Sequence, residues 1–277
     1  MRLSVAPRQS LAPWRGAADE LHLPLGEVHL WWVGLHMEGP ALCACWDLLS
    51  AEETRVASSY RFVKDLREFV ITRAVLRRIL ARYTGQSPAD LRFESNPGGK
   101  PVLQGTQSPH FSVSHCSDIA LLAVARVRIG IDVEHVRPGN FWQKIIGHCL
   151  SPRERAYLEA LPEVSRTTAF YRFWTRKEAV LKAMGTGLLY PPQQVSVLPE
   201  SNDPSVVNLL GRNWLVRRIP APGCYEAAAA IEAPASNVKW RQWRFSVGTL
   251  LEQARRPMSD GKYRRHGRPN SPLYPSN

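Results

Sequence analysis

Apolar and polar positions along this chain switch between a helical and a strand period, and the switches mark out its elements. Val28–Leu35 (VHLWWVGL) is an apolar run of strand length. Ser50 with Glu53 forms a capping-box pattern ahead of a helix predicted over Glu52–Phe62. Asp65–Tyr83 carries Phe69, Val70, Leu76, Ile79 and Leu80 at helical spacing, and Gly85 stops it. Leu91–Glu94 is a short strand before the turn Asn96-Pro97-Gly98-Gly99. Phe111–Val113 and Ile119–Ala125 are predicted strands around a polar connection, Ser114 to Asp118, and Ile129–Glu134 is the next. Ser151-Pro152-Arg153-Glu154 starts a second capped helix. Phe170–Met184 then shows two helical stripes: an apolar one (Phe170, Phe173, Leu181, Met184) and one with Trp174, Glu178 and Lys182 four residues apart, closed by Gly185. Val195–Leu198, Trp214–Ile219 and Lys239–Val247 read as strands. Tyr225–Glu232 contains four consecutive alanines, which favour helix by propensity. Pro222-Gly223 and Pro234 bracket it so closely that a strand is expected instead.

This order predicts an α+β fold of two similar halves, each with a Ser-initiated helix, a longer helix and several strands. The expected divisions are a poorly ordered leader (1–24), subdomains at 25–128 and 129–250, and a basic, disordered tail (251–277). Composition adds little: 44% hydrophobic and 22% charged residues are ordinary for a globular protein. No apolar run approaches the ~18–20 residues that span a bilayer, and the N-terminus has no secretory h-region. Five irregularly spaced cysteines point to reduced thiols and a cytoplasmic protein. The net charge of +12 favours acidic partners, whether nucleic acid, phosphorylated small molecules or acidic proteins.

Candidate chemistry narrows the choice. In Gly130-Ile131-Asp132-Val133-Glu134, strand alternation sends Ile131 and Val133 one way and both acids the other. Side by side, two carboxylates repel unless protonated or bridged by a cation. They are either solvated acids of an edge strand or part of a hard-cation site, for which Mg²⁺ is the natural ion. Glu178 becomes the third carboxylate if its helix packs beside this strand, and Lys182, one turn on, would reach a phosphate. Otherwise Glu178 and Lys182 are a solvated helix pair worth ~0.3–0.5 kcal/mol. Ser114-His115 and Lys100 after its glycine turn are candidate phosphate contacts. Cys116, beside His115, is a weak candidate nucleophile because adjacent side chains point apart. There is no GxxxxGK[ST], GxSxG or HExxH.

The succession NPGGKPVL, FSVSHCSD, GIDVEHVRP and FWTRKEAVLKAMGTGL resembles the Sfp-type 4′-phosphopantetheinyl transferases, from about Val28 to Ala233. The resemblance implies two related α/β subdomains about a pseudo-two-fold with the site at their interface. It implies Mg²⁺-dependent transfer of phosphopantetheine from coenzyme A to a serine of an apo acyl or peptidyl carrier protein, releasing adenosine 3′,5′-bisphosphate. By the same resemblance Asp132, Glu134 and Glu178 would bind Mg²⁺, Glu178 would help deprotonate the carrier serine, and Lys182 would serve the leaving phosphate. Lys100, Ser114 and His115 would hold coenzyme A phosphates. The carrier is expected to be acidic and helical and the enzyme monomeric; neither a membrane nor a nucleic acid is an expected partner. One departure stands out: where the family often has basic residues for the 3′-phosphate, this chain has Glu53 and Val56. Arg55 and Arg73 are the candidate replacements. The basic tail also lies outside the matched pattern.

Overall fold

The structure, a computed structural model, describes residues 21–105, 108–139, 141–197, 204–232 and 238–245. The expected leader (apart from residues 21–24) and the tail lie outside this set. The first half contains β1 (Glu27–Gly34), α1 (Pro40–Trp46), α2 (Ala51–Ser58), α3 (Val63–Thr84), β2 (Phe93–Ser95), β3 (Pro101–Leu103), β4 (His110–Cys116) and β5 (Ile119–Ala125). The second contains β6 (Ile129–His135), the single turn α4 (Ile146–Cys149), α5 (Pro152–Ala160), α6 (Glu163–Met184), β7 (Ser205–Leu209), β8 (Arg212–Ile219), β9 (Tyr225–Glu232) and β10 (Lys239–Phe245). The chain is thus a mixed α+β protein.

Two four-stranded sheets carry the fold, ordered β10-β1-β5-β4 and β6-β9-β8-β7, with β2-β3 a separate hairpin. The sheets pack on each other through Val28, Leu30 and Trp32 of β1, Leu121 and Ala123 of β5, Ile129, Ile131 and Val133 of β6, and Ala227 and Ala229 of β9. Alternate residues of the same strands face outward. Trp31, Val33, Leu122 and Val124 meet α3 on one side, and Ala228, Ala230, Trp214 and Val216 meet α6 on the other. The result is four layers, helix–sheet–sheet–helix. It explains the alanines of β9: both faces are covered, and small side chains let α6 and the opposite sheet come close. Burial overrides helix propensity there, as expected.

β10, from the far end of the described chain, pairs in parallel with β1 (Glu27↔Lys239 to Val33↔Phe245) and so completes the first sheet. Leu21 donates its N–H to the Arg82 carbonyl (2.6 Å), and Leu23 is buried.

The two halves share one internal device. In α2, Ser50 and Glu53 cap each other, and Glu53 Oε2 receives Arg77 Nε of α3 at 2.7 Å. In α5, Ser151 and Glu154 do the same, and Glu154 Oε2 receives Lys177 Nζ of α6 at 2.7 Å, both side chains fully buried. Arg77 also donates to the Pro88 and Leu91 carbonyls, Lys177 to those of Pro192 and Val195. α3 and α6 are each 22 residues long and end on a left-handed glycine, Gly85 and Gly185.

Some expectations fail for local reasons. Val195 and Val197 are buried but not in a strand, because the Val197 N–H is taken by Glu154 Oε1 (2.8 Å) rather than by a neighbouring strand; Leu198 is outside the described residues. β4 runs on through Ser114, His115 and Cys116, leaving only Ser117-Asp118 as the turn, with Ser117 at φ 54°. The unexpected α1, β3 and β7 are seven, three and five residues long, too short for their periodicity to stand out.

Candidate active site

The site forms where β4, β6 and α6 meet. β6 is the edge of its sheet, and a free edge leaves backbone N–H groups unpaired. Here β4 satisfies them with side chains. Ser112 Oγ accepts from Ile131 N (3.1 Å), Ser114 Oγ from Val133 N (3.3 Å) and Cys116 Sγ from His135 N (3.4 Å). Every second residue of β4 is a rung, so the polar segment before the turn is strand.

α6 reaches β6 because Gly130 has no side chain. A Cβ there would lie 1.9 Å from the Ala179 carbonyl oxygen and 2.4 Å from Ala183 N. Gly98 does the same for the turn before β3, where a Cβ would fall 2.0 Å from Gly185 O. Asn96 fastens that turn, donating to Gly185 O (2.9 Å) and accepting from Lys100 N (2.8 Å).

This close approach brings Asp132, Glu134, Glu178, Lys182 and Ser114 together. Lys182 Nζ donates to Asp132 Oδ1 at 2.6 Å and to Ser114 Oγ at 3.1 Å; Ser114 Oγ donates to the same Oδ1 at 2.8 Å. Asp132 is 3% exposed and Glu134 half-buried, so these are not freely solvated acids of an edge strand. Asp132 Oδ2 and Glu178 Oε1 are buried and unpartnered. Burial first, then the negative charges of Asp132 and Glu134, push the Glu178 carboxyl up to about 7 despite Lys182. Burial and Asp132 also raise Glu134, opposed by hydrogen bonds from Cys116 and Trp174. Cys116 Sγ lies 3.5 Å from Glu134 Oε2. Burial raises the Cys116 thiol as well, which weakens it as a nucleophile.

The donor chemistry fits a hard divalent cation: Asp132 and Glu134 lie near enough for their charges to act on Glu178, and two buried carboxylate oxygens lack a partner. Among the described residues, no three His, Cys, Asp or Glu side chains are grouped as a ready-made ligand set. Lys182 instead holds one Asp132 oxygen.

Lys100 lies at the rim, donating to Ile129 O at 2.6 Å. Burial, with Arg128 and Lys182 nearby, lowers it to about 8. It lines a cleft of about 370 Å³ with Asn96, His110, Phe111 and Arg128. The other predicted site residues stand apart from the acids. His115, opposite in pleat to Ser114, faces Glu68 of α3 at 3.7 Å. Arg73 faces Glu53 at 3.7 Å, over the rings of Phe69 and Phe93. Arg55 is exposed on the last turn of α2. Sequence reasoning missed Ser112, the contact of Cys116 with Glu134 and the hydrogen bond of Trp174. The two-residue spacing of Ser112, Ser114 and Cys116 was the available signal.

Comparison with known proteins shows the family. Residues 128–222 match the 4′-phosphopantetheinyl transferase superfamily, and residues 39–127 match the 4′-phosphopantetheinyl transferase N-terminal family. The chain is 31% identical over 220 residues to the 4′-phosphopantetheinyl transferase HetI of Nostoc sp., covering 78% of this chain and 92% of that one. It is 28% identical over 189 residues to a 4′-phosphopantetheinyl transferase of Bacillus subtilis (63% and 84% covered). Against the 4′-phosphopantetheinyl transferase Sfp of B. subtilis it is 26% identical over 170 residues (57% and 75%). Matched over both segments, with its acids and lysine all inside the second, the chain belongs to the 4′-phosphopantetheinyl transferases and is a transferase.

Proposed function

We propose that this enzyme transfers the 4′-phosphopantetheine of coenzyme A to a serine hydroxyl of an apo acyl or peptidyl carrier protein, releasing adenosine 3′,5′-bisphosphate, and that it needs Mg²⁺. The observation that carries this reading is the junction of Asp132, Glu134, Glu178 and Lys182, with two open buried carboxylate oxygens beside a lysine-lined cleft. Asp132, Glu134 and Glu178 would hold Mg²⁺, which when bound neutralises charge on the pyrophosphate during displacement. Lys182 supplies positive charge, and a proton, to the leaving phosphate. Glu178 takes the proton of the carrier serine, directly or through water. Trp174 and Cys116 orient Glu134, and Ser114 orients Asp132 and Lys182. Lys100 lies where the cleft would receive an anionic donor.

The enzyme is read as a cytoplasmic monomer that meets acidic, helical carriers through its positive charge. Only net charge favours nucleic acid, and no recognition motif supports it. Among the described residues, no helix is long and apolar enough to cross a membrane. We also infer that the halves, divided near residue 128, are related by a pseudo-two-fold. The paired devices Ser50–Glu53–Arg77 and Ser151–Glu154–Lys177 support this.

The test is direct. The protein is incubated with coenzyme A, Mg²⁺ and a panel of apo carriers, and the carriers are weighed. The expected result is the mass gain of one phosphopantetheine arm, abolished by EDTA and restored by Mg²⁺. No gain on any carrier would sink the proposal.

A further inference from the structure

The basic segment that follows β10 has no task in the reaction proposed above. Arg255, Arg256, Lys262, Arg264, Arg265 and Arg268 stand there against Asp260, all within fourteen residues. They supply five of the chain's net +12. Several cations of the folded body are matched locally. Arg172 and Arg218 share the buried Glu226, Arg241 pairs with Glu27, and Arg128 and Arg212 both face Glu232. A run of cations offset by one acid attracts a polyanion.

The strand register fixes where this segment leaves the fold. Paired residues form rows across the first sheet. One row is Arg244, Trp32, Leu121 and Ser114; the next is Phe245, Val33, Ala120 and His115. Ser114 is the residue that holds Asp132 and Lys182. Phe245 is thus level with the acidic junction, three strand spacings or ~14 Å across the sheet. It is buried in the core shared with α3, which anchors the point of departure. The parallel pairing of β10 decides this: an antiparallel β10 would leave at the opposite end, beside Glu27. Arg255 follows Phe245 by ten residues, and ten residues span at most ~35 Å. The chain is long enough to bring the first cations to the rim of the junction and the later ones beyond it.

Resting on the carrier reading above, we propose that the segment Arg255–Arg268 captures the acceptor: it binds an acidic carrier protein electrostatically while the carrier serine sits at Glu178. The place of departure favours a carrier over a nucleic acid, because binding DNA or RNA needs no position beside the reacting groups. Coenzyme A is too compact to face cations spread over fourteen residues at once. A second, weak contact tied to the first by the chain raises the local concentration of acceptor. Being electrostatic, it speeds encounter and is screened by salt.

The full chain is compared with a variant in which the six cations become Gln (R255Q, R256Q, K262Q, R264Q, R265Q, R268Q). Initial rates are measured with coenzyme A, Mg²⁺ and an acidic carrier that the unaltered protein modifies, in about 50 mM and about 500 mM KCl. At low salt the variant is expected to raise the carrier KM about tenfold, with kcat and the coenzyme A KM within about twofold. At high salt the two proteins should agree. In the unaltered protein alone, the carrier KM should rise about tenfold over the same salt range, a reading that needs no substitution. An unchanged carrier KM in the variant, no salt effect in the unaltered protein, or a change confined to the coenzyme A KM would each overturn the proposal. So would an unchanged carrier KM with lost affinity for a fluorescent DNA duplex, which would assign the segment to nucleic acid. Transfer with equal carrier KM values overturns this inference alone; no transfer by the unaltered protein to any carrier overturns the carrier reading and this inference with it.

Discussion

Ser114 has one proton to give and two lone pairs to receive with, and all three are in use. It donates to Asp132 and accepts from Val133 N and Lys182. No capacity is left for a phosphate, so the residue positions the pair. Ser114→Ala leaves a buried N–H and a carboxylate oxygen short of a partner, and should cost about 1–3 kcal/mol by urea denaturation. In a transfer assay it should lower kcat more than it raises KM. Glu178 makes a different prediction. Its folded pKa of about 7 exceeds the ordinary 4.5. Between those values the folded state holds a proton that the unfolded state has released. Stability of the metal-free protein therefore falls as pH rises through that window, by roughly 3 kcal/mol in all. Glu178→Gln should stabilise the EDTA-treated protein at pH 8, leave it unchanged at pH 4, and abolish transfer. Retained transfer by this variant would contradict the assignment. Much of this was legible in the sequence, because strand alternation fixes Asp132 and Glu134 on one face and helix spacing stacks Glu178 and Lys182. The partners of Glu134 were not legible. Cys116 sits in a polar stretch that reads as a turn, and only the edge of β6 makes it a rung.

At the scale of elements, the approach of α6 to β6 decides whether the acids meet. Gly130→Ala would drive a methyl group into the Ala179 carbonyl, and α6 would have to retreat. We expect a loss of about 3 kcal/mol and a fall in transfer larger than the stability loss explains, since the carboxylates separate. Chemical denaturation and kcat measured below the melting transition distinguish the two effects. Long periodic elements were readable: α3, β5 and β9 fall where the patterns place them, and α6 ends as predicted but starts at Glu163, about two turns before Phe170. Short ones were not. α1 has too few residues to show a period, and Val195–Val197 is extended without a strand partner because a side chain takes its hydrogen bond.

Across the whole molecule, each half buries one ion pair between its capped helix and its long helix. Removing one partner of such a pair strands a buried charge. Glu154→Ala should cost about 3–5 kcal/mol, whereas replacing both partners with apolar residues should recover much of it. A denaturation series on the single and double variants checks this. The similarity of the halves was visible in the sequence as two Ser–Glu helix starts. The equivalence of Arg77 and Lys177 was not, because arginine and lysine at unrelated-looking positions gain it only from their partners.

The place of β10 has a consequence for how the protein is made. β1 leaves the ribosome before the other strands described, yet its parallel neighbour is encoded more than two hundred residues later (Glu27↔Lys239). The first sheet is therefore started early and finished last. Until Phe245 emerges, the apolar strand EVHLWWVG keeps one open edge, the kind of template that recruits other chains. A nascent chain stalled before this point should be sticky and chaperone-dependent, and release of the last strand should act as the clasp that ends the exposure.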